Sequence, residues 1–354
     1  MGERDRHAPR REIGRTNPGH LRADRNSLDG NHLVNGENTT PFPAMLLTTV
    51  IDETRMGGAM IARVTYDLRD GKLTPAAEQP WIVSADPWDS PFGPFEADQP
   101  FRKGGVDVFV LGSACAPGAR PAKEITVSVA VGAFSFTAIV FGHRIWREGG
   151  AGRGLVPTEP VPFVTLPLVA EHAFGGEITV DGLASPHLDN PKGVGLYIDE
   201  AAALDQPLPK IEDASQRITA WSDRPDPVGF GVCPLTNGER LRSSVDVVDG
   251  HLERVKSRLF NQAHPKLVAP KVEPGDEVVL SGFSHEGLRA FTLPAPHLVV
   301  QLTLGEKSVV RTPTIEEIGI DVAASRVFLG YRYPFRYHFV AHQRRVCRLA
   351  SAES

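Results

Sequence analysis

The chain has 354 residues, of which 41% are hydrophobic and 23% are charged, and its formal net charge is −5. This composition is ordinary for a globular protein with a sizeable core, and the slight acidic excess gives no general attraction to nucleic acid or to an anionic membrane. The 34 glycines and 30 prolines favour many turns and short strands over long helices.

Composition divides the chain into four regions. Residues 1–40 hold few large apolar side chains, and their arginines are nearly balanced by acids, which predicts a disordered N-terminal arm. Residues 41–160 and 263–354 contain short alternating segments, whereas proline and glycine dominate the loop-rich connecting region at 161–262. The predicted fold class is therefore mainly β, with two interlocked β-sandwich-like halves, long ordered loops and few short helices.

The strongest local signals lie in the N-terminal half. Residues 60–68 alternate apolar and polar side chains and are followed by an Asp-Gly turn, which is typical of a hairpin. Residues 125–131 also alternate and are joined by Gly132-Ala133 to residues 134–141, which predicts a second hairpin. Residues 106–114 are apolar on both faces, which predicts a strand that is covered on both sides.

The later elements are predicted from turn signals and alternation. A turn of helix is expected at residues 200–205, a hairpin turn at Asp249-Gly250 and a short amphipathic helix at residues 252–260. Further strands are expected at residues 276–283, 288–293, 298–304, 307–312 and 315–322.

The cysteines and the hydropathy pattern predict where the protein is located. Cys115, Cys233 and Cys347 are far apart and have no metal-binding spacing, so we expect free thiols in a reducing compartment. No apolar run reaches the roughly 18 residues that a membrane span needs, and the first residues lack the apolar core of a signal peptide. The sequence therefore predicts a cytoplasmic protein that does not contact a membrane.

The last strand, at residues 327–339, carries aromatic side chains at odd positions and cations at several even ones. Since strand side chains alternate between faces, the pattern predicts an aromatic face and a basic face, and Pro334 predicts an edge or a bulge. Tyrosine and arginine at an exposed edge are typical of protein interfaces. Aromatic core packing and single-stranded nucleic-acid binding remain alternatives. The candidate partner-binding residues are Tyr331, Arg332, Arg336 and Tyr337.

Motifs for chemistry are weak. The chain has no nucleophile elbow, no phosphate-binding loop and no complete dinucleotide fingerprint, and His338 and His342 lack the glutamate that completes a zinc-protease motif. We therefore predict no catalytic, cofactor-binding or metal-binding residue. Glu96 and Asp98, or Glu316 and Glu317, leave one alternative open, a β-rich carbohydrate-active hydrolase that uses paired carboxylates.

The stretch from Phe95 to Pro117 gathers charges, glycines and Cys115 around one strand. We expect its charged residues to position the loop that leads into the core strand, and we expect Cys115 to be a buried thiol. The order of FEADQPFRKGGVDVFVLGSACAPG, GHRIW, PFVTLPLVAEHAFGG, NPKGVG, LPKIED and PVGFGVCP resembles the bacterial family catalogued as domain of unknown function 2169.

Members of that family are known as adaptors of type VI secretion, which bind a toxic effector in the cytoplasm and help load it onto the spike. The resemblance implies a non-enzymatic adaptor or chaperone whose partners are an effector protein and a spike protein. It implies no catalytic residue and no cofactor.

Overall fold

The structure is a computed structural model that describes residues 34–249 and 251–352. Short strands dominate it, and the two α-helices are α1 (Glu200–Ala203) and α2 (Gly238–Ser244). Single 3-10 turns occur at Pro117–Ala119, Gly150–Gly152, Ala170–His172, Ser257–Phe260 and Pro265–Leu267. The predicted fold class, mainly β, is confirmed. In the described part of the chain no helix combines the length and the apolar character that a membrane crossing requires.

The strands in chain order are β1 (Asn35–Asn38), β2 (Ala44–Val50), β3 (Arg55–Arg69), β4 (Lys72–Pro75), β5 (Trp88–Ser90), β6 (Gly93–Phe95), β7 (Val106–Leu111), β8 (Ser113–Cys115), β9 (Glu124–Val131), β10 (Phe134–Phe141), β11 (Trp146–Glu148), β12 (Leu155–Pro157), β13 (Thr165–Pro167), β14 (Phe174–Gly175), β15 (Glu177–Val180), β16 (Leu183–Pro186), β17 (Val194–Gly195), β18 (Ile211–Asp213), β19 (Val245–Val248), β20 (His251–Val255), β21 (Val268–Ala269), β22 (Glu277–Ser281), β23 (Arg289–Thr292), β24 (Leu298–Leu304), β25 (Lys307–Arg311), β26 (Thr314–Asp321), β27 (Arg326–His338) and β28 (Arg345–Ser351).

Three larger sheets organise these strands. A seven-stranded sheet has the order β2-β3-β27-β26-β7-β21, with β4 beside β3, and a five-stranded sheet has the order β18-β10-β9-β22-β23. A four-stranded sheet has the order β1-β28-β24-β25, and the other strands form two-stranded pairs. Because the first two sheets each combine early and late strands, the two β halves are interlocked through shared sheets.

The main core follows from the predicted alternation. In β9 the residues Ile125, Val127, Val129 and Val131 are buried, and the Gly132 turn has a positive φ of 55° that joins β9 to β10. The predicted hairpin is confirmed. A second layer of the core is aromatic. The rings of Phe92, Phe95, Phe109 and Phe328 pack against one another at tilted or edge-to-face angles.

Two local predictions in the loop-rich region have different outcomes. The hairpin turn at Asp249 is confirmed, since β19 and β20 pair around it and Asp249 has a φ of 50°. The predicted helix at residues 252–260 is wrong, because this segment completes β20 and then forms a single 3-10 turn. The hairpin β15–β16, around Asp181-Gly182, was not predicted although it has the same Asp-Gly signal.

β27 is an interior strand over part of its length, and around Pro334, where the sequence predicted an edge or a bulge, it pairs with β3 but not with β26. β27 pairs with β3 along its whole length and with β26 from Arg326 to Arg332, so this part is an interior strand. Pro334 lies beyond the last residue of β27 that pairs with β26. Among the described residues, β3 is the strand that pairs with β27 at this position. The missing amide hydrogen therefore removes no bond to β26.

Candidate functional site

The charged residues of the Phe95–Pro117 stretch belong to a cluster on one face of the seven-stranded sheet. Arg63 of β3, Glu317 of β26 and Asp107 of β7 lie in one row across the sheet, with Gly330 of β27 between Arg63 and Glu317. A Cβ atom on Gly330 would lie 2.4 Å from the Glu317 carboxylate. A glycine at this position therefore leaves the space in which Arg63 and Glu317 meet.

Glu317 is the centre of this buried charge cluster, which we define as Arg63, Asp98, Lys103, Asp107 and Glu317. Arg63 Nε donates to Glu317 Oε2 at 2.8 Å, and Lys103 Nζ donates to Glu317 Oε1 at 2.5 Å. Arg63 also donates two bonds to the Asp98 carboxylate, at 2.7 and 2.9 Å. Lys103 Nζ lies 2.6 Å from Asp107 Oδ2. All five side chains are almost completely excluded from solvent.

The cluster also holds the segment before the turn at His264. Asp107 Oδ1 accepts bonds from Asn261 Nδ2 at 3.0 Å, from the Gln262 amide at 3.1 Å and from the Ala263 amide at 3.0 Å. Each buried acceptor is thus matched by several donors, which offsets the cost of burying its charge. The cluster therefore ties residues 98–107 to residues 261–263.

The protonation states follow from the pairing. Burial by itself would raise the pKa of Glu317, but the charges of Arg63 and Lys103 outweigh it and lower that pKa far below its usual range. Burial would lower the pKa of Lys103, but Asp107 and Glu317 outweigh it and raise that pKa. Both groups are charged at neutral pH. Next to the cluster, burial raises the pKa of Glu316 in spite of its ion pair with Arg332.

A second ion pair, between the buried Arg240 and the partly exposed Glu96, links this region to helix α2. Arg240 donates to both carboxylate oxygens of Glu96, at 2.6 and 2.8 Å, and to the carbonyl oxygens of Cys233 and Leu259. Since α2 runs directly into β19, this pair fixes the base of the hairpin β19–β20 against the body of the protein.

The four predicted partner-binding residues have different environments. Tyr331 is buried and its hydroxyl lies 2.9 Å from the hydroxyl of Tyr66, and Tyr337 is also buried. Arg332 is buried between Glu316 and the carbonyl oxygen of Pro100. Arg336 is exposed. The predicted two faces exist, but at Arg332 the basic face is covered by the loop that contains Pro100 and does not face solvent.

The carboxylates considered for a hydrolase are engaged in ion pairs. Asp98 is buried against Arg63 and accepts a bond from the Ser84 amide, and both oxygens of Glu96 are bonded to Arg240. Each carboxylate oxygen of these two residues accepts a bond from an arginine. Glu316 and Glu317 are also engaged in ion pairs, with Arg332 and with Arg63 and Lys103. Among residues 34–249 and 251–352, no group of three or more His, Cys, Asp or Glu side chains is placed to hold a metal ion.

Cys115 is half-buried, not fully buried as the sequence predicted, whereas Cys233 and Cys347 are buried. It lines an open cleft of about 360 Å³ together with Thr165, His285 and Arg289. The Ala116 carbonyl accepts a hydrogen bond from His285 Nδ1 at 2.8 Å, and Nε2 then accepts from the Thr165 hydroxyl at 3.2 Å. Burial raises the pKa of Cys115, so the group is a protonated thiol at neutral pH.

The hairpin β19–β20 is the clearest exposed feature. It is a two-stranded sheet, and the opposed pair Val247 and Leu252 is 57% and 62% exposed. Val255 extends the same apolar face and is 46% exposed, while Lys256 pairs with Asp246 at 2.6 Å near the base. An exposed apolar face of this kind is typical of a surface that binds another protein.

A second exposed hairpin, β15–β16, is anchored at the same helix. Leu183 of this hairpin is 74% exposed. Asp189, which follows the hairpin, accepts bonds from the Glu239 amide and from Arg242 of α2, both at 3.0 Å. Its carbonyl oxygen accepts from Asn237 Nδ2. Helix α2 therefore connects the bases of two exposed hairpins.

Sequence reasoning missed Arg63 and Arg240, and it considered Glu317 as half of a hydrolase carboxylate pair rather than as an ion-pair partner. A usable signal for the ion pair existed at Arg63 and Glu317, because each is a charged residue in a mostly apolar strand segment, ARV and EIGI. Such a residue requires a partner of opposite charge if the strand is covered on both faces. Arg240 had no comparable signal, because it lies on a short helix next to a polar loop.

Comparison with known proteins gives one result. The model of a bacterial protein family matches residues 54–332, which include the whole buried charge cluster and both exposed hairpins. No curated protein and no solved structure matches the chain. The chain belongs to the family described as uncharacterized protein conserved in bacteria (DUF2169).

Proposed function

We propose that this protein is a cytoplasmic, non-enzymatic adaptor that binds a type VI secretion effector and helps load it onto the spike complex. The observation that carries the proposal is the exposed apolar face of the hairpin β19–β20, with Val247, Leu252 and Val255 in water. The resemblance of the motif order to type VI secretion adaptors supplies the identity of the partners.

The energetics of the hairpin support a binding role. Complete burial of a valine or leucine side chain stabilises a protein by about 1.5–3 kcal/mol. Val247, Leu252 and Val255 are each about half exposed, so covering this face would contribute about 2–4 kcal/mol to a complex. An isolated two-stranded hairpin is only marginally stable in water, so a partner would also order it.

The alternatives have less support. A carbohydrate-active hydrolase needs carboxylates that face an open cleft, and Glu96 and Asp98 are bonded to arginines. Single-stranded nucleic-acid binding needs exposed rings, and Tyr331 and Tyr337 face the interior. The charged residues of the family motif are used for folding, and the exposed apolar groups remain for contact with another protein.

Co-purification tests the proposal. The tagged chain is expressed together with the genes that surround its own gene, and the recovered proteins are identified by mass spectrometry. We expect a toxin-like effector or a spike protein in stoichiometric amounts with the wild type, and at least about tenfold less with Leu252→Asp, because a charge on the apolar face must be desolvated in the complex.

A matched variant separates the hairpin from a general effect of surface charge. Leu288 is 70% exposed and lies outside the hairpin, in the loop directly before β23. Leu288→Asp should recover the partner like the wild type. Recovery of no effector and no spike protein by the wild type, or equal recovery by Leu252→Asp, would contradict the proposal.

A further inference from the structure

We propose that the free edge of β25 is a second binding surface, which takes an extended acidic peptide segment as an added strand. β25 is the last strand of the four-stranded sheet, and all five of its residues, Lys307–Arg311, are exposed. Within the described ranges its strand partner is β24 alone. An edge of this kind presents backbone donors and acceptors that another strand can use.

The register shows which backbone groups point outward. β24 and β25 form a hairpin with a two-residue loop, Gly305-Glu306, and Leu304 opposes Lys307. In an antiparallel pair every second residue bonds across the pair, and the residues between them point away. The Val310 carbonyl accepts a bond from the Arg311 guanidinium at 2.9 Å. The backbone N–H and C=O groups of Val310 therefore point away from β24, and those of Ser308 have the same orientation.

The apolar layer beneath this edge is incomplete. Val309 lies opposite Leu302, which is buried on the core side of the sheet. Val309 itself remains 40% exposed, because no strand follows β25 in the described part of the sheet. An added strand would continue the sheet and place its own apolar side chain beside Val309.

Charge selects the occupant. Lys307 and Arg311 lie at the two ends of β25, and the main chain of a third exposed cation, Arg344, lies beside the turn before β25, because its carbonyl accepts a bond from the Gly305 amide. None of these three cations forms an ion pair with a residue in the described ranges. A second copy of β25 would oppose like charges, whereas an acidic segment would pair with them.

Fluorescence anisotropy with two labelled peptides tests the proposal on the full chain. The probes are EVTVEVE and its lysine counterpart KVTVKVK, which share strand propensity and differ in charge. We expect saturable binding of the acidic peptide, weaker binding when the salt concentration is raised from 0.05 M to roughly 0.5 M, and no binding of the lysine peptide. Binding of both peptides with equal affinity, or of neither, would overturn the proposal.

Val310→Pro tests the backbone contact. The substitution removes an amide hydrogen that points away from β24 and leaves the hydrogen bonds to β24 intact. We therefore expect an unchanged midpoint of thermal unfolding and a roughly tenfold lower affinity for the acidic peptide. If this variant does not fold, Lys307→Glu combined with Arg311→Glu replaces it, with the same expected loss. Unchanged affinity in the folded variant would overturn the proposal.

The hairpin variant Leu252→Asp should bind the acidic peptide like the wild type. The proposal for the edge of β25 and the proposal for the hairpin β19–β20 can therefore be refuted separately, because a variant that changes one surface leaves the other surface unchanged.

Discussion

Replacing Glu317 by Gln should strongly destabilise the protein. The substitution keeps the shape of the side chain but removes the charge that bridges Arg63 and Lys103. Breaking a buried pair on one side costs about 3–5 kcal/mol. Arg63 keeps Asp98 and Lys103 keeps Asp107, so we expect the lower end, about 3 kcal/mol in the free energy of unfolding.

Urea denaturation measures this loss. With a slope of about 3 kcal/mol per molar urea, the midpoint of Glu317→Gln should fall by about 1 M. Glu159→Gln is the matched control, because Glu159 pairs with Lys123 at 2.8 Å in a fully exposed position and exposed pairs contribute little. Equal midpoints for the two variants would refute a structural role for the cluster.

The pH dependence gives the same test a second readout. Because the pKa of Glu317 is lowered in the folded state by Arg63 and Lys103 against the effect of burial, its contribution is complete above its unfolded pKa, about 4.3. The contribution is lost as the pH falls through the folded value. The stability of the wild type should therefore fall more steeply below about pH 4 than that of Glu317→Gln. Parallel acid profiles would contradict this reasoning.

Two further predictions concern single positions. Gly330→Ala should destabilise the protein by about 1–3 kcal/mol, because its Cβ would lie 2.4 Å from the Glu317 carboxylate; an unchanged urea midpoint would show that the carboxylate moves aside freely. A thiol reagent should label Cys115 slowly in the native protein, whereas Cys233 and Cys347, whose pKa values burial raises to about 12, should react only after unfolding. Native labelling of all three cysteines, counted by mass spectrometry, would contradict the burial.

Local structure was predicted where the signal is local. The hairpin β9–β10 follows from a period of two on both strands and a glycine at a turn that needs a positive φ. The hairpin turn at Asp249 follows in the same way. The predicted helix at residues 252–260 failed because an apolar residue every few positions fits a short exposed strand followed by a 3-10 turn equally well.

The site was harder to predict because its contacts are distant in sequence. The period of β27 correctly predicts an aromatic face, but it does not show what covers the opposite face. That cover includes the loop carrying Pro100, which turns Arg332 from a surface residue into a buried one. In the same way, Asp98 and Glu317 are separated by more than two hundred residues and become neighbours through Arg63.

The central claim is that the hairpin β19–β20 is the contact surface for the protein partner. Hydrogen–deuterium exchange of the purified chain, alone and in complex with the recovered effector or spike protein, tests it most directly. The account predicts that amides of residues 245–248 and 251–255 exchange more slowly in the complex, because the hairpin is covered and ordered by the partner. Slower exchange elsewhere with no change in the hairpin would contradict the claim.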